Sequence, residues 1–244
     1  MKKLLLKFFP FFFIPFLFSC EELREEITIT NDGSGNYEVY TDMLPMMKTM
    51  ASMGLNEELS EDEKKAKLNE MIWKGKTGKI DSIIDMKDKI GKEYKGKEYE
   101  NILKNTTAYM KGGVEEDKMV MGVKFNFKNG KELESFQAML EDSQKNKGDT
   151  KAMGKTKSVT KLSTSGFSRT TKVVEKVDLN DANMTMTMQF IANTKMVTVV
   201  KTPKKIKSVK GQFVKEQKDF EVVFEYNLAS LLKQEINTDF AIEY

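Results

Sequence analysis

Alternation of apolar and polar residues with a period of two is the feature that most constrains this chain. In "ITITNDGSGNYEVYTD", Ile27 and Ile29 alternate with Thr28 and Thr30, and Tyr37, Val39 and Thr41 alternate with Glu38, Tyr40 and Asp42. The intervening "NDGSG" is rich in residues that tolerate positive φ, so the stretch predicts a β-hairpin. Gly33 and Gly35 belong to that turn and not to a phosphate-cradling loop, because no helix and no suitably placed lysine follow them. The run "KMVMGVKFNF" alternates just as clearly, through Met119, Met121, Val123, Phe125 and Phe127. Further strands are predicted at "TTAYMK", "GFSRTTKVVEKV", "NMTMTMQFIA", "KMVTVVKTP", "FEVVFEYNL" and "DFAIEY", with a short one around 79–84.

Helical spacing is confined to fewer segments. In "DMLPMMKTMASMG", Asp42 can cap, Pro45 suits a first turn, and Met43, Met46, Met47, Met50 and Met53 fall on one face. Ser60 and Glu63 form a capping-box pattern ahead of "EDEKKAKLNEMIW". "NGKELESFQAMLED" predicts an amphipathic helix that buries Leu133, Phe136 and Leu140, and shorter helices are expected near 98–104 and at "ASLLKQ". Residues 143–165 are polar and aperiodic, which predicts a long mobile loop. Strands outnumber helices and follow one another as hairpins. The expected class is α+β, a mostly antiparallel curved sheet with helices packed on one side, built as a single domain over 27–244.

Upstream of the hairpin, "MKKLLLK" is a short positive segment and "FFPFFFIPFLF" an apolar one of the length of a signal-peptide core. A membrane span needs about 20 apolar residues; here Pro10 and Pro15 interrupt the run and the acids of "CEELREE" stop it. Residues 1–19 therefore read as an export signal. "LFSC" resembles the lipobox of bacterial lipoproteins, with Leu17 three residues before Cys20 and small Ser19 just before it. The resemblance implies cleavage before Cys20, acylation of its thiol, and an outer-membrane location. The acids Glu21, Glu22, Glu25 and Glu26 then read as a tether at 20–26. They are either a plain solvated linker or, by resemblance to the acidic signals of Bacteroidetes-type lipoproteins, an address for the cell surface.

The composition excludes much chemistry. No histidine is present, which removes imidazole bases, imidazole ligands and every Ser–His or Cys–His pair. One cysteine permits neither an internal disulfide nor a thiolate metal site. The acids occur mainly as neighbouring pairs on charged stretches, without calcium-loop spacing and without a pair that nominates itself for acid–base work. The expectation is a non-enzymatic protein with no catalytic residues, no metal and no cofactor. Of 40 Lys and Arg, three (Lys2, Lys3 and Lys7) lie in the leader, so the remaining basic residues equal the 37 acids. No global attraction to nucleic acid is expected.

Two residue sets remain as candidates. The 17 methionines include the helix stripe Met43, Met46, Met47 and Met50 and the strand stripe Met184, Met186 and Met188. Methionine fills irregular cores, and it also lines sites for apolar ligands of varied shape. The second set is the basic run Lys201, Lys204, Lys205, Lys207 and Lys210, either a solvated face or a surface for anionic headgroups of the membrane that holds the tether. The stretches "ITITNDGSGNYEVYTDM" and "TPKKIKSVKGQF" resemble those of a loose group of uncharacterised envelope lipoproteins. The "GSG" hairpin is similar to that of actinobacterial lipoproteins that bind phosphatidylinositol-type glycolipids. What the resemblance implies is an anchored α+β lipoprotein without enzymatic activity. Such a protein either holds a lipid between sheet and Met-rich helix, or docks another envelope protein with a fully packed core.

Overall fold

The computed structural model describes residues 22–52, 60–73, 79–89, 99–145, 155–175 and 192–244. The chain forms strands β1 (Glu22–Ile29) and β2 (Gly35–Asp42), then helices α1 (Leu44–Ser52) and α2 (Glu61–Trp73). After them come β3 (Lys79–Asp85), a 3-10 turn (Met86–Lys89), α3 (Glu100–Lys104), β4 (Thr106–Gly113), β5 (Lys118–Phe127) and α4 (Gly130–Lys145). The C-terminal half is β6 (Lys155–Ser163), β7 (Gly166–Glu175), β8 (Lys195–Lys201), β9 (Ser208–Lys210), β10 (Val214–Gln217), β11 (Glu221–Asn227), α5 (Leu228–Leu232) and β12 (Phe240–Glu243).

These strands make two sheets where one was expected. The larger has eight strands in the order β10-β11-β8-β1-β2-β5-β4-β3, and the smaller has four in the order β6-β7-β12-β9. Pairing is antiparallel throughout except between β1 and β8, which run parallel with Glu22 beside Lys195 and Thr28 beside Lys201. The α+β class holds, with strands dominating.

The predicted hairpin is β1–β2. Its turn is closed by Asp32, whose carboxylate accepts from the Thr30 hydroxyl at 2.6 Å and from the Ser34 amide at 3.0 Å, while Gly33 takes φ of +81°. Those hydrogen bonds hold the Asp32 carboxyl down at about 2. The predicted caps also form. Asp42 accepts from the Leu44 amide at 3.0 Å and from the Met119 amide at 2.9 Å, so it starts α1 and ties it to β5. Ser60 and Glu63 complete a capping box, with the Ser60 amide 2.9 Å from the Glu63 carboxylate.

Two expectations are corrected. Residues 22–26, expected as part of a tether, are the opening of β1 and alternate with its buried positions. The span 143–165 is not one loop, because α4 continues to Lys145 and residues 155–163 are β6. The basic stretch 201–217 includes two short strands, β9 and β10, that the sequence pattern did not predict. The predicted strand "NMTMTMQFIA" lies outside the described residues.

Between β1 and β5 the backbone of β2 approaches closely at its first residue. A Cβ at Gly35 would lie 2.0 Å from the Thr28 carbonyl oxygen and 2.6 Å from the Phe127 ring. Gly35→Ala is therefore expected to cost about 1–3 kcal/mol, read as a lower urea midpoint with unchanged slope; an unaltered midpoint would contradict this packing.

Candidate functional site

The inner face of the large sheet carries cross-strand rows set by its register. One row runs Phe224, Thr198, Glu25, Val39, Val123, Ala108 across β11, β8, β1, β2, β5 and β4. All six are buried, and Glu25 is the one charged residue among them, at 2 % exposure. Opposite it stands Arg169 of β7, in the small sheet, at 7 % exposure. The guanidinium grips the carboxylate with both terminal nitrogens: Nη1 donates to Oε2, and Nη2 donates to Oε1 at 2.9 Å. Thr198 donates to the same carboxylate at 3.0 Å, and the Tyr37 hydroxyl adds a further hydrogen bond.

Burial alone would raise the Glu25 pKa, but the Arg169 charge and these hydrogen bonds outweigh it and hold the carboxyl below its ordinary 4.5. Burial likewise opposes the charge on Arg169, and the Glu25 carboxylate reverses that effect. Tyr37, buried beside the pair and facing the Glu25 charge, is pushed well up. Burial pushes Tyr226 up to about 12.

Aromatic contacts frame the ion pair on the small-sheet side. Phe240, the cross-strand neighbour of Arg169, stacks on Phe224 of the large sheet at 4.2 Å between centroids and tilts against Phe167 at 5.9 Å. The Arg169 guanidinium also lies 5.7 Å from the Phe240 ring centre. On the adjacent row, Phe125 stacks on Phe136 of α4 at 4.4 Å, and Tyr37 meets Phe136 edge-on at 5.3 Å. Each such ring pair adds about 0.5–1.5 kcal/mol beyond its area. Among the described residues, a bidentate ion pair embedded in stacked rings joins the two sheets.

The outer face of the large sheet is polar over β1, β2 and β4, whereas over β8 and β11 Val197, Val199 and Val223 form a separate buried apolar cluster. Arg24 binds Glu26 at 2.9 Å, Tyr40 donates to Glu26 at 2.8 Å, and Tyr109 donates to Glu38 at 2.7 Å. Tyr109 lies across Gly122, where a Cβ would come within 2.4 Å of its ring.

The candidates from the sequence are placed as follows. Met43 and Met46 are buried in the main core cluster at 5 % and 7 % exposure. Met47 packs partly buried against Leu44, Ile72, Trp73 and Met119. The Met50 side chain, Met184, Met186, Met188 and Cys20 lie outside what is described. Among the lysines, Lys201 pairs with Glu26 at 3.2 Å and Lys205 with Asp219 at 3.1 Å. Lys204 donates to the Thr164 carbonyl and Lys207 to the Tyr244 carbonyl, while Lys210 is exposed on β9. Lys201 sits beside Thr28, at the end of β1 opposite Glu22. Cys20 is only two residues before Glu22, within about 7 Å along the chain. The first member of the lysine run thus stands at the end of β1 away from Glu22.

Glu25 and Arg169 were not among the sequence candidates, although two signals were available. Glu25 shares its parity with Leu23, Ile27 and Ile29, which places it on the inner face once β1 starts at Glu22. The chain holds only two arginines, Arg24 and Arg169, amid abundant lysine. Arginine is the residue whose planar fork suits a buried carboxylate.

Removing one partner of a buried pair leaves the other charge uncompensated, so Glu25→Ala is expected to cost about 3–5 kcal/mol. The double change Glu25→Leu with Arg169→Met restores most of that loss in chemical denaturation. Because the folded carboxyl titrates below 4.5, the contribution of Glu25 is complete above that pH and is lost as pH falls through the lower folded value. Glu25→Gln removes this part of the acid-side slope of stability against pH; an unchanged slope would contradict the assignment.

Among the described residues, no group of three or more acidic, cysteine or histidine side chains is placed to hold a metal. No helix among them is long and apolar enough to cross a membrane. No family model matches the chain, and no curated protein matches it. The NMR structure of the folded domain of LppM from Mycobacterium tuberculosis is similar at a TM-score of 0.41 and 10% identity, over 91% of this chain and 87% of that one. At that level of likeness, a functional reading rests on the residues of this chain alone.

Proposed function

We propose that this chain is a non-enzymatic lipoprotein of the bacterial envelope, anchored through Cys20, whose domain docks another envelope component. The reading departs from a carrier of apolar ligands on one observation: Met43 and Met46, at the start of α1, are buried in the core. Met43 and Met46 pack with Ile27, Tyr37, Phe125 and Phe136 in one continuous buried cluster. The space between the sheets beside that cluster is crossed by the Glu25–Arg169 pair and the Phe224–Phe240 stack. A packed core among the described residues favours a protein that acts through its surfaces.

The anchoring half of the reading rests on the "LFSC" lipobox and the short apolar leader. Several acyl chains on one residue bind a bilayer firmly, at about 0.8 kcal/mol per buried methylene. The outer membrane is the compartment proposed, with the leaflet set by how the chain is exported.

Expression of the full-length chain in a Gram-negative bacterium fed an alkyne fatty acid tests both halves. The wild-type protein is expected to take up label and Cys20→Ser to lose it. Native mass spectrometry of the extracted protein is expected to show the covalent acyl groups and no further lipid at one per chain. Label that persists in Cys20→Ser would overturn the anchor, and a stoichiometric non-covalent lipid would restore the carrier.

A further inference from the structure

We infer that the domain stands end-on upon the bilayer, with the Glu22 end of the large sheet against the headgroups and the Gly33 turn pointing away. This rests on the anchoring reading above. Its carrying observation is that no tether exists: Cys20 is two residues from a strand clamped between β2 and β8 in the middle of an eight-stranded sheet. Two residues reach about 7 Å, so the anchor cannot swing free of that edge.

The register identifies what shares the near end. Glu22 pairs with Lys195 on β8, Asp42 on β2 pairs with Val120 on β5, and Val120 pairs with Lys111 on β4. Just beyond Lys111 and Gly113 lies the β4–β5 turn, Val114–Asp117, with Val114 41% exposed at its start. At the far end stand the Thr30–Ser34 turn, Lys201, and the 53% exposed Phe220, whose carbonyl accepts from the Thr202 amide. Seven strand steps of β1 separate the two ends by roughly 24 Å.

Charge gives the sheet no cause to lie flat. The near end carries Glu22, Glu115, Glu116 and Asp117 alongside Lys111, Lys118 and Lys195, and Asp117 is paired with Lys48 at 2.7 Å. The outer face over β1, β2 and β4 is equally mixed, with Arg24, Glu26, Glu38 and Lys201 in mutual contact or bound to tyrosine hydroxyls. Neither surface is a basic patch of the kind that draws a protein onto anionic lipid. The acyl anchor and the missing tether set the orientation between them. The end that bears Phe220, Lys204 and Lys205 is then the one offered to a partner.

Cys20 is the only cysteine, and acylation consumes it, so an introduced cysteine is a unique labelling site. Glu116→Cys in the near turn and Asn31→Cys in the far turn, both exposed positions, are labelled with a fluorophore in the full-length lipidated protein. The proteins are then bound to phosphatidylethanolamine–phosphatidylglycerol vesicles carrying a headgroup-linked quencher. Given the roughly 24 Å between ends, quenching at 116 is expected to exceed that at 31 by about threefold or more. A flexible insert of about twelve Gly and Ser residues between Glu21 and Glu22 is expected to bring the two toward equality. Equal quenching in the native chain, or stronger quenching at 31, while flotation with vesicles still depends on Cys20, overturns the orientation alone. Flotation that is absent, or that survives Cys20→Ser, removes the anchoring reading and the orientation with it.

Discussion

A carboxylate and a guanidinium buried between two sheets impose conditions that little else in this protein imposes. Glu25 and Arg169 are 144 positions apart in sequence, and neither can be desolvated at acceptable cost until the other is in place. The pair therefore couples the folding of the N-terminal strand to that of the four-stranded sheet. It also specifies register. A one-residue slip of β1 would turn Arg24 and Glu26 inward and expel Leu23, Ile27 and Ile29, since side chains alternate strictly between faces. The only arginine other than Arg24 is placed where a bidentate grip is required, and lysine serves elsewhere.

Legibility in the sequence followed the strength of the apolar alternation. The β1–β2 hairpin, β5 and the two capped helix starts were readable because each buries an apolar face or supplies a cap at a fixed spacing. β6 was not. Its inward positions are Thr156, Ser158, Thr160 and Leu162, so the period-two signal is present in burial but nearly absent in hydrophobicity. A strand can afford a Thr/Ser face there because it lies beside the polar interior around Arg169, with Thr160 directly opposite that residue. The opening of β1 was hidden for a related reason: "CEELREE" reads as solvated acid until the parity of Glu25 with Leu23 and Ile27 is followed backward. Both failures are buried polar residues whose partners lie far away in sequence, which no local window contains.

The candidate site changed character once side chains were placed. Of the methionines that could have lined a ligand chamber, Met43 and Met46 are buried in the core, where Met46 shares its cluster with Ile27 and Phe136. The lysine run begins at the Thr28 end of β1, and Lys201, Lys204, Lys205 and Lys207 are tied to Glu26, Asp219 and carbonyl oxygens. If the proposed anchor sits at Cys20, two residues before Glu22, strand direction defines a near and a far end of the domain. Under the proposed reading, a packed body whose far end displays Phe220 is suited to making contacts.

The claim on which this account depends is that the two sheets form one cooperative unit through the Glu25–Arg169 pair. Hydrogen exchange followed by mass spectrometry, comparing the intact chain with Glu25→Gln, tests it most directly. The account predicts that amides of β7 and β12 exchange together with those of β1 and β8 in the native chain, and that the small sheet opens separately, and sooner, in the variant. A small sheet that already exchanges independently in the native chain, at a rate the substitution leaves unchanged, would contradict it.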